Sequence, residues 1–235
     1  MTDIVLVHGA FQGGWVWNAL AAHLRPEGFR VHAPTLSGCG YLRRGLRPET
    51  GPAEWIEELL AYLRLHTRGR VILAGNSFAG LLCAGVLMRA PERILQAVFI
   101  DAMLPESGKS FLDQAGAPFA ALLEKHTSGD GLVSPWPPPV FGIPEEQWPD
   151  FASRLATFPA SAFRAPFAGD LDPQRTPCAY IACSRTASPF IRAMAARARD
   201  LGWQMREMDS GHCPMVTHPR ELAELLTGLA QAPMC

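Results

Sequence analysis

The sequence predicts an α/β fold, with about six strands in a mostly parallel sheet flanked by helices. Three observations predict it. Short apolar runs alternate with amphipathic helical patterns along most of the chain, as in βαβ units. Runs such as Val71, Ile72, Leu73 and Ala74 are apolar without alternation, as strands covered on both faces are. Hydrophobic residues make up 48% of the 235 and charged residues 18%, enough for one sizeable core and incompatible with a disordered chain.

The elements follow in order. Residues 4–7 form the first strand. Residues 15–24 are amphipathic and end near Pro26 and Gly28, both helix stops. Residues 30–34 are the second strand. A helix over 53–66 carries Glu54, Glu57 and Glu58 near its positive N-terminal end. Residues 70–74 make the third strand, a helix over 77–90 stops before Pro91, and 94–100 is the fourth strand. After a long interruption come a strand over 178–183, a helix over 189–201 and a strand over 204–208. A last helix over 219–230 has proline at its first turn.

The interruption, 103–177, holds 12 of the 21 prolines and nine Phe and Trp residues. A structureless loop of that length is rare in a compact domain, and so many aromatics are poorly placed in a solvated linker. It reads as a folded insertion with short helices, an apolar lid over a pocket. The chain then divides into an α/β core, 1–102 and 178–235, and a lid, 103–177. Of the aromatics Phe111, Phe119, Trp136, Phe141, Trp148, Phe151, Phe158, Phe163 and Phe167, most are expected in the lid's own packing and two or three in the pocket.

Gly75, Asn76, Ser77, Phe78, Ala79 and Gly80 sit where a strand gives way to a helix, the layout of a nucleophile elbow. Small residues flank the serine because strand and helix backbones nearly touch there. Ala79 stands where glycine is usual and adds a methyl. Alone, the pattern also fits a serine capping a core helix. A serine hydroxyl needs a base. His212 is the best placed of seven histidines, in a loop with Gly211 and Pro214 after the last strand, where α/β sheets build sites. His8 follows the first strand and is read as holding the loop geometry. In that loop the Ala10 N–H, paired with the Phe78 N–H, would form an oxyanion hole. Phe11, Met103 and Leu104 are expected to line the substrate pocket. His23, His32, His66, His126 and His218 lack such context and read as surface or structural.

A carboxylate should steady the histidine. The common place for it is the loop after the strand over 178–183, but Ser184, Arg185, Thr186, Ala187 and Ser188 include no acid. Asp101, directly after the strand over 94–100, lies on the correct sheet edge and keeps the order serine, acid, histidine. Three other readings stay open: Asp101 as a cap for the start of the lid, a Ser–His pair with no acid, and a lid acid such as Asp170 or Asp172.

A net charge of −1 without asymmetry points away from nucleic acid and acidic membranes. No apolar run reaches the ~18 residues of a membrane span. Strand-like sequence from Asp3 leaves no room for a leader. Cys39, Cys83, Cys178, Cys183, Cys213 and Cys235 show neither CxxC nor zinc spacing, which fits reduced thiols in a cytoplasmic protein without a metal. Arg43, Arg44 and Arg47 read as a solvated run.

Taken together, Leu6-Val7-His8-Gly9-Ala10, Trp15-Val16-Trp17, Ala33-Pro34-Thr35-Leu36-Ser37-Gly38, the elbow, Ala97-Val98-Phe99-Ile100-Asp101-Ala102 and Gly211-His212 resemble the α/β-hydrolase superfamily. Within it the chain resembles the plant methylesterase and hydroxynitrile lyase branch and its bacterial esterase relatives. The resemblance spans nearly the whole chain. It implies an α/β-hydrolase fold with a lid between the sixth and seventh strands of the full superfamily pattern, and catalysis without a cofactor. Lyase members carry threonine after the first-strand histidine and lysine after the catalytic one. Gly9 and Cys213 stand there, which points to the esterase side. The function implied is a serine hydrolase. It would cleave a carboxylic ester of a small, largely apolar or aromatic substrate through an acyl-enzyme. A non-hydrolytic enzyme on the same scaffold (lyase, cyclase or cofactor-free oxygenase) and a ligand-binding receptor are the competing readings. The partner expected is a small-molecule substrate, with a homodimer left open.

Overall fold

The apolar runs become strands at nearly the expected bounds. The computed structural model describes residues 1–172 and 175–231, so Cys235 lies outside the described residues. Strand β1 is Thr2–Val7; a 3-10 turn over Gly14–Trp17 leads into helix α1, Asn18–Leu24. Then come β2 (Phe29–His32), α2 (Pro52–His66), β3 (Val71–Asn76), α3 (Ala79–Arg89) and β4 (Ile94–Ile100). The inserted stretch holds α4 (Phe111–His126), β5 (Leu132–Val133), α5 (Pro138–Phe141), α6 (Trp148–Ser153), β6 (Phe158–Pro159) and α7 (Ala160–Arg164). The core resumes with β7 (Cys178–Cys183), α8 (Pro189–Asp200), β8 (Gln204–Met208), α9 (Pro214–Thr217) and α10 (Pro219–Gln231).

Six strands pair in parallel in the order β2-β1-β3-β4-β7-β8, while β5 and β6 form a separate antiparallel pair. Burial explains the composition of each strand. β3 is buried at every position, whereas the edge strands β2 and β8 are mostly half-buried, and β8 accordingly carries Gln204, Arg206 and Glu207. The chain steps outward in one direction from β1 to β2 and in the other from β3 to β4. Right-handed crossovers therefore put α1 and α3 on opposite faces. α1 packs with α10, and α2 with α3. α2 turns Trp55, Ile56, Leu59, Leu60 and Leu63 inward, with Pro52 in its first turn and Arg64 and His66 in its last.

Two helix starts differ from the sequence expectation, each for a local reason. The pattern from Trp15 opens as a 3-10 turn and becomes α-helical only at Asn18. The helix expected from Ser77 begins at Ala79, because Ser77 has φ 59° and cannot be a helical residue. Two glycines let α3 lie this close to the sheet. A Cβ on Gly75 would sit 2.6 Å from Cys83 Sγ, and one on Gly80 would sit 2.1 Å from the Met103 carbonyl oxygen. The Ala79 methyl is accommodated because Gly75 opposes it with no side chain; a Cβ there would be 3.2 Å from Ala79 Cβ.

The inserted stretch is tied to the carboxyl edge of the sheet by backbone contacts. Ala156 N donates to Phe11 O at 2.8 Å. Gly142, at φ 63°, lies so close to the loop before α9 that a Cβ would come within 2.8 Å of Gly211 Cα. The Phe11 ring packs among Trp136, Phe141, Phe158 and Phe163. α4 begins at a Ser110–Asp113 capping box and bends at Gly116, φ 75°, two residues before Pro118. Among the described residues no helix is long and apolar enough to cross a membrane.

The close approach of α3 predicts a contrast between two glycine substitutions. Gly80→Ala drives a methyl into a backbone carbonyl and is expected to cost about 2 kcal/mol or more. Gly228→Ala meets nothing within 4 Å in α10 and should gain about 0.5–1 kcal/mol. Thermal melts check both: a Tm drop of several degrees for the first and a rise of a degree or more for the second.

Candidate active site

Among the described residues, three non-glycine residues have positive φ: Phe11 at 69°, Ser77 at 59° and Asp101 at 45°. They lie just beyond the carboxyl ends of β1, β3 and β4. Such conformations cost about 1–3 kcal/mol each and persist only where the surroundings hold them. Here the surroundings are the ends of paired strands. Asn76 is in register with Ile100, so Ser77 and Asp101 emerge side by side. Asp101 N donates to Ile181 O at 2.8 Å, and Met103 N donates to Ser77 O at 3.0 Å.

His212 reaches both residues. Its Nε2 lies 2.8 Å from Ser77 Oγ and its Nδ1 lies 2.6 Å from Asp101 Oδ2. The carboxylate can only accept, so Nδ1 carries the proton and Nε2 is free to accept from the serine hydroxyl. Asp101 is buried at 2% exposure and is held from several sides. Its Oδ1 accepts from Cys183 N at 3.2 Å, and its Oδ2 accepts from the Thr186 hydroxyl. Asn76 Nδ2 donates to Ile100 O at 2.9 Å and to His212 O at 3.0 Å, which joins the end of β4 to the histidine loop. Chemically, this chain of groups can draw a proton from Ser77 and stabilise the resulting imidazolium beside a fixed anion.

Ala10 and Phe78 flank the serine. Among the described residues neither backbone N–H donates to a protein acceptor, and the Phe78 N–H is at the start of α3. Gly9 lets the β1 loop lie against Ser77, since a Cβ there would be 3.1 Å from Ser77 Cβ. His8 shapes this loop. Leu36 N donates to His8 Nε2 at 3.2 Å, which leaves Nδ1–H to donate to Gly9 O at 2.9 Å. Burial pushes the His8 imidazole down to about 4, so it is neutral at neutral pH.

A cavity of about 310 Å³ opens onto Ser77 and His212. Its wall is largely apolar, with Phe11 and Ala10 from the β1 loop; Gln12 and Ser188 are its polar side chains besides Ser77 and His212. Phe11 is thus where the sequence predicts. Met103 and Leu104 are not in this wall. Both are fully buried, because beyond Asp101 the chain passes beneath α3, where Gly80 packs on the Met103 carbonyl. Four aromatics of the inserted stretch line the cavity, Phe111, Phe119, Trp136 and Phe141, more than the two or three expected. Arg43, Arg44 and Arg47 are exposed and outside the wall, with Arg47 paired to Glu54 at 2.6 Å. Asp170 is also exposed and outside it.

Some residues of the site escape the sequence reading. Phe190 and Ile191 at the start of α8 line the cavity, and Asn76 and Thr186 hold the histidine and the acid. The available signal was position: the 184–191 stretch follows a strand on the carboxyl edge, where any side chain is a site candidate. Among the described residues no group of three or more His, Cys, Asp or Glu side chains is placed to hold a metal ion.

Residues 4–225 match the alpha/beta hydrolase family. The chain is 32% identical over 245 aligned positions to the carbendazim hydrolyzing esterase of Nocardioides sp. (strain SG-4G), covering 97% of this chain and all of that protein. It is 32% identical over 102 positions to methylesterase 10 of Arabidopsis thaliana, covering 43% of this chain and 37% of that one. An extracellular alpha/beta-hydrolase from a Paenibacillus species, 23% identical, superposes with a TM-score of 0.86 over 97% of this chain and 98% of its own. That likeness is one of fold.

His8 predicts an acid dependence of stability. Its ordinary value is 6.5 and its folded value about 4, so the unfolded chain binds the proton more readily between the two. The stabilisation is fully present above pH 6.5 and is lost as pH falls towards 4, roughly 3 kcal/mol in all. Urea unfolding at pH 7 and pH 4 is expected to show this loss, and His8→Gln, which has no group to titrate, should flatten that acid limb.

Proposed function

Because the chain belongs to the alpha/beta hydrolase family, we propose that it is a carboxylic ester hydrolase with Ser77 as nucleophile, acting on small, largely apolar or aromatic esters. The observation that carries this reading is the unbroken contact Ser77–His212–Asp101 ending in an apolar cavity of about 310 Å³. That volume is at the small end of ligand pockets, about 300–1,000 Å³. The esterase names of the relatives point the same way.

The steps follow from the contacts. Ser77 Oγ attacks the ester carbonyl carbon while its proton passes to His212 Nε2. The carbonyl oxygen becomes an oxyanion and takes the Ala10 and Phe78 N–H groups as donors. His212 then gives the proton to the departing alkoxide, so the alcohol leaves and an acyl-Ser77 remains. A water, deprotonated by His212, attacks that acyl group; the proton returns to Ser77 and the carboxylic acid departs. Asp101 keeps Nδ1–H donating throughout and offsets the imidazolium charge. Residues 103–177 serve as the lid, excluding water and selecting apolar substrates through Phe119, Trp136 and Phe141. Cys39, Cys83, Cys178, Cys183 and Cys213, all buried free thiols, support a reducing cytoplasmic setting.

The reading is tested with methyl and aryl esters of small aromatic acids. Ser77→Ala and His212→Ala are expected to lower kcat/KM by about 10⁴-fold or more, and Asp101→Asn by about 10²–10⁴-fold, with Tm within a few degrees of the parent. An organophosphonate should label Ser77 in the parent and nothing in Ser77→Ala. Equal hydrolysis by parent and Ser77→Ala would overturn the proposal. Turnover that survives Ser77→Ala but is lost in His212→Ala would point instead to a non-hydrolytic reaction.

A further inference from the structure

Thr186 stands in the loop after β7 that carries no acid, yet its side chain is buried at 1% exposure against Asp101. Its hydroxyl donates to Asp101 Oδ2, the same oxygen that receives His212 Nδ1–H. The loop is held in that position from both ends: Thr186 N donates to Cys183 O at 3.2 Å and Arg185 N donates to Ser210 O at 3.0 Å. Oδ1 is occupied by Cys183 N. Asp101 stands on a left-handed backbone with one side-chain oxygen pinned by β7 and the other shared between Thr186 and His212.

We propose that Thr186 is a positioning residue for hydrolysis: its hydroxyl orients the Asp101 carboxylate and draws off part of its charge, thereby setting the basicity of His212. The proposal rests on the Ser77–His212–Asp101 reading above. Two consequences follow from the contacts. With the hydroxyl gone, the carboxylate keeps Cys183 N–H and His212 Nδ1–H as donors, and its charge is concentrated on the oxygen facing His212. The imidazolium is then better stabilised and His212 titrates higher. Freed of one tether, the carboxylate also orients the imidazole less well towards Ser77, and turnover falls.

The other groups around Asp101 do not titrate near neutrality. Tyr180 and Cys183 of β7 and Cys213 beside His212 are all pushed up, by burial first and by the Asp101 charge as well, Cys213 to about 12. Arg185, the preceding residue of the loop, faces outward to Asp209. A change in the acid limb of the rate profile therefore reports on His212.

The experiment is a pH profile of kcat/KM on an aryl ester for the parent, Thr186→Val, Thr186→Ala, Thr186→Ser, Asp101→Asn and Ser77→Ala. Both Thr186→Val and Thr186→Ala are expected to move the acid limb up by about half a pH unit or more and to lower kcat roughly tenfold. Thr186→Ser keeps the donor and should stay near the parent. In the Asp101→Asn background, Thr186→Val should shift nothing further. The titration of the His212 ring protons by NMR reads the same shift without turnover. An unmoved limb and an unmoved His212 titration, with only Tm lowered and Ser77→Ala inactive, would overturn the Thr186 role while leaving the serine mechanism standing. Ser77→Ala as active as the parent would overturn both.

Discussion

The site depends on the parallel register at the carboxyl edge of the sheet. β3 pairs with β1 through Val7 and Gly75, with β4 through Asn76 and Ile100, and β4 pairs with β7 through Ile100 and Ile181. β3 and β4 therefore end at the same level, and the residues that follow them, Ser77 and Asp101, are delivered to one place. A slip of one residue would turn Ser77 or Asp101 to the opposite face. The left-handed backbones at Ser77 and Asp101 are tolerable because the strand ends they follow are paired and buried. Asn76 extends this order beyond the sheet: its amide carries the β4 carbonyl and the His212 carbonyl together, so the histidine loop is fastened to the strands that present its partners.

The inserted stretch completes the site from above. Its backbone is joined to the β1 loop at Phe11 and lies against the histidine loop at Gly142 and Gly211. Its aromatic side chains pack on Phe11, so the loop bearing the Ala10 N–H and the cavity wall are parts of one packed cluster. The burial of Asp101 and His212 has an electrostatic consequence. With little water to screen it, the hydrogen bond between them is stronger than it would be at the surface. The same burial keeps His8 neutral, which separates the histidine that shapes the loop from the one that faces Ser77.

Much of this was legible in the chain. Periodicity alone located the six strands of the sheet within a few residues, because apolar strands buried on both faces leave an uninterrupted signal. Ser77, His212 and Asp101 stand out as candidates in the sequence because each follows a strand, and strand ends share an edge in a parallel sheet. The same logic does not extend to Met103 and Leu104, two and three residues beyond Asp101: a residue past the turn is directed by what it packs on, and here the Met103 carbonyl lies against Gly80 of α3. Thr186 looked like the absence of an acid. Its hydroxyl contact with Asp101 spans 85 positions, and no local pattern encodes a contact of that kind.

By itself, then, the chain determined the alternation of elements, the elbow with its small residues, and the set of groups from which a nucleophile, a base and an acid could be drawn. These are local properties, written in periodicity, glycine placement and side-chain chemistry. Only the tertiary structure decided which acid meets His212, which four aromatics of the insertion wall the cavity, and that Asn76 and Thr186 hold the assembly. Those outcomes depend on strand register and on contacts between residues far apart in sequence, where packing, and not local preference, selects the partner.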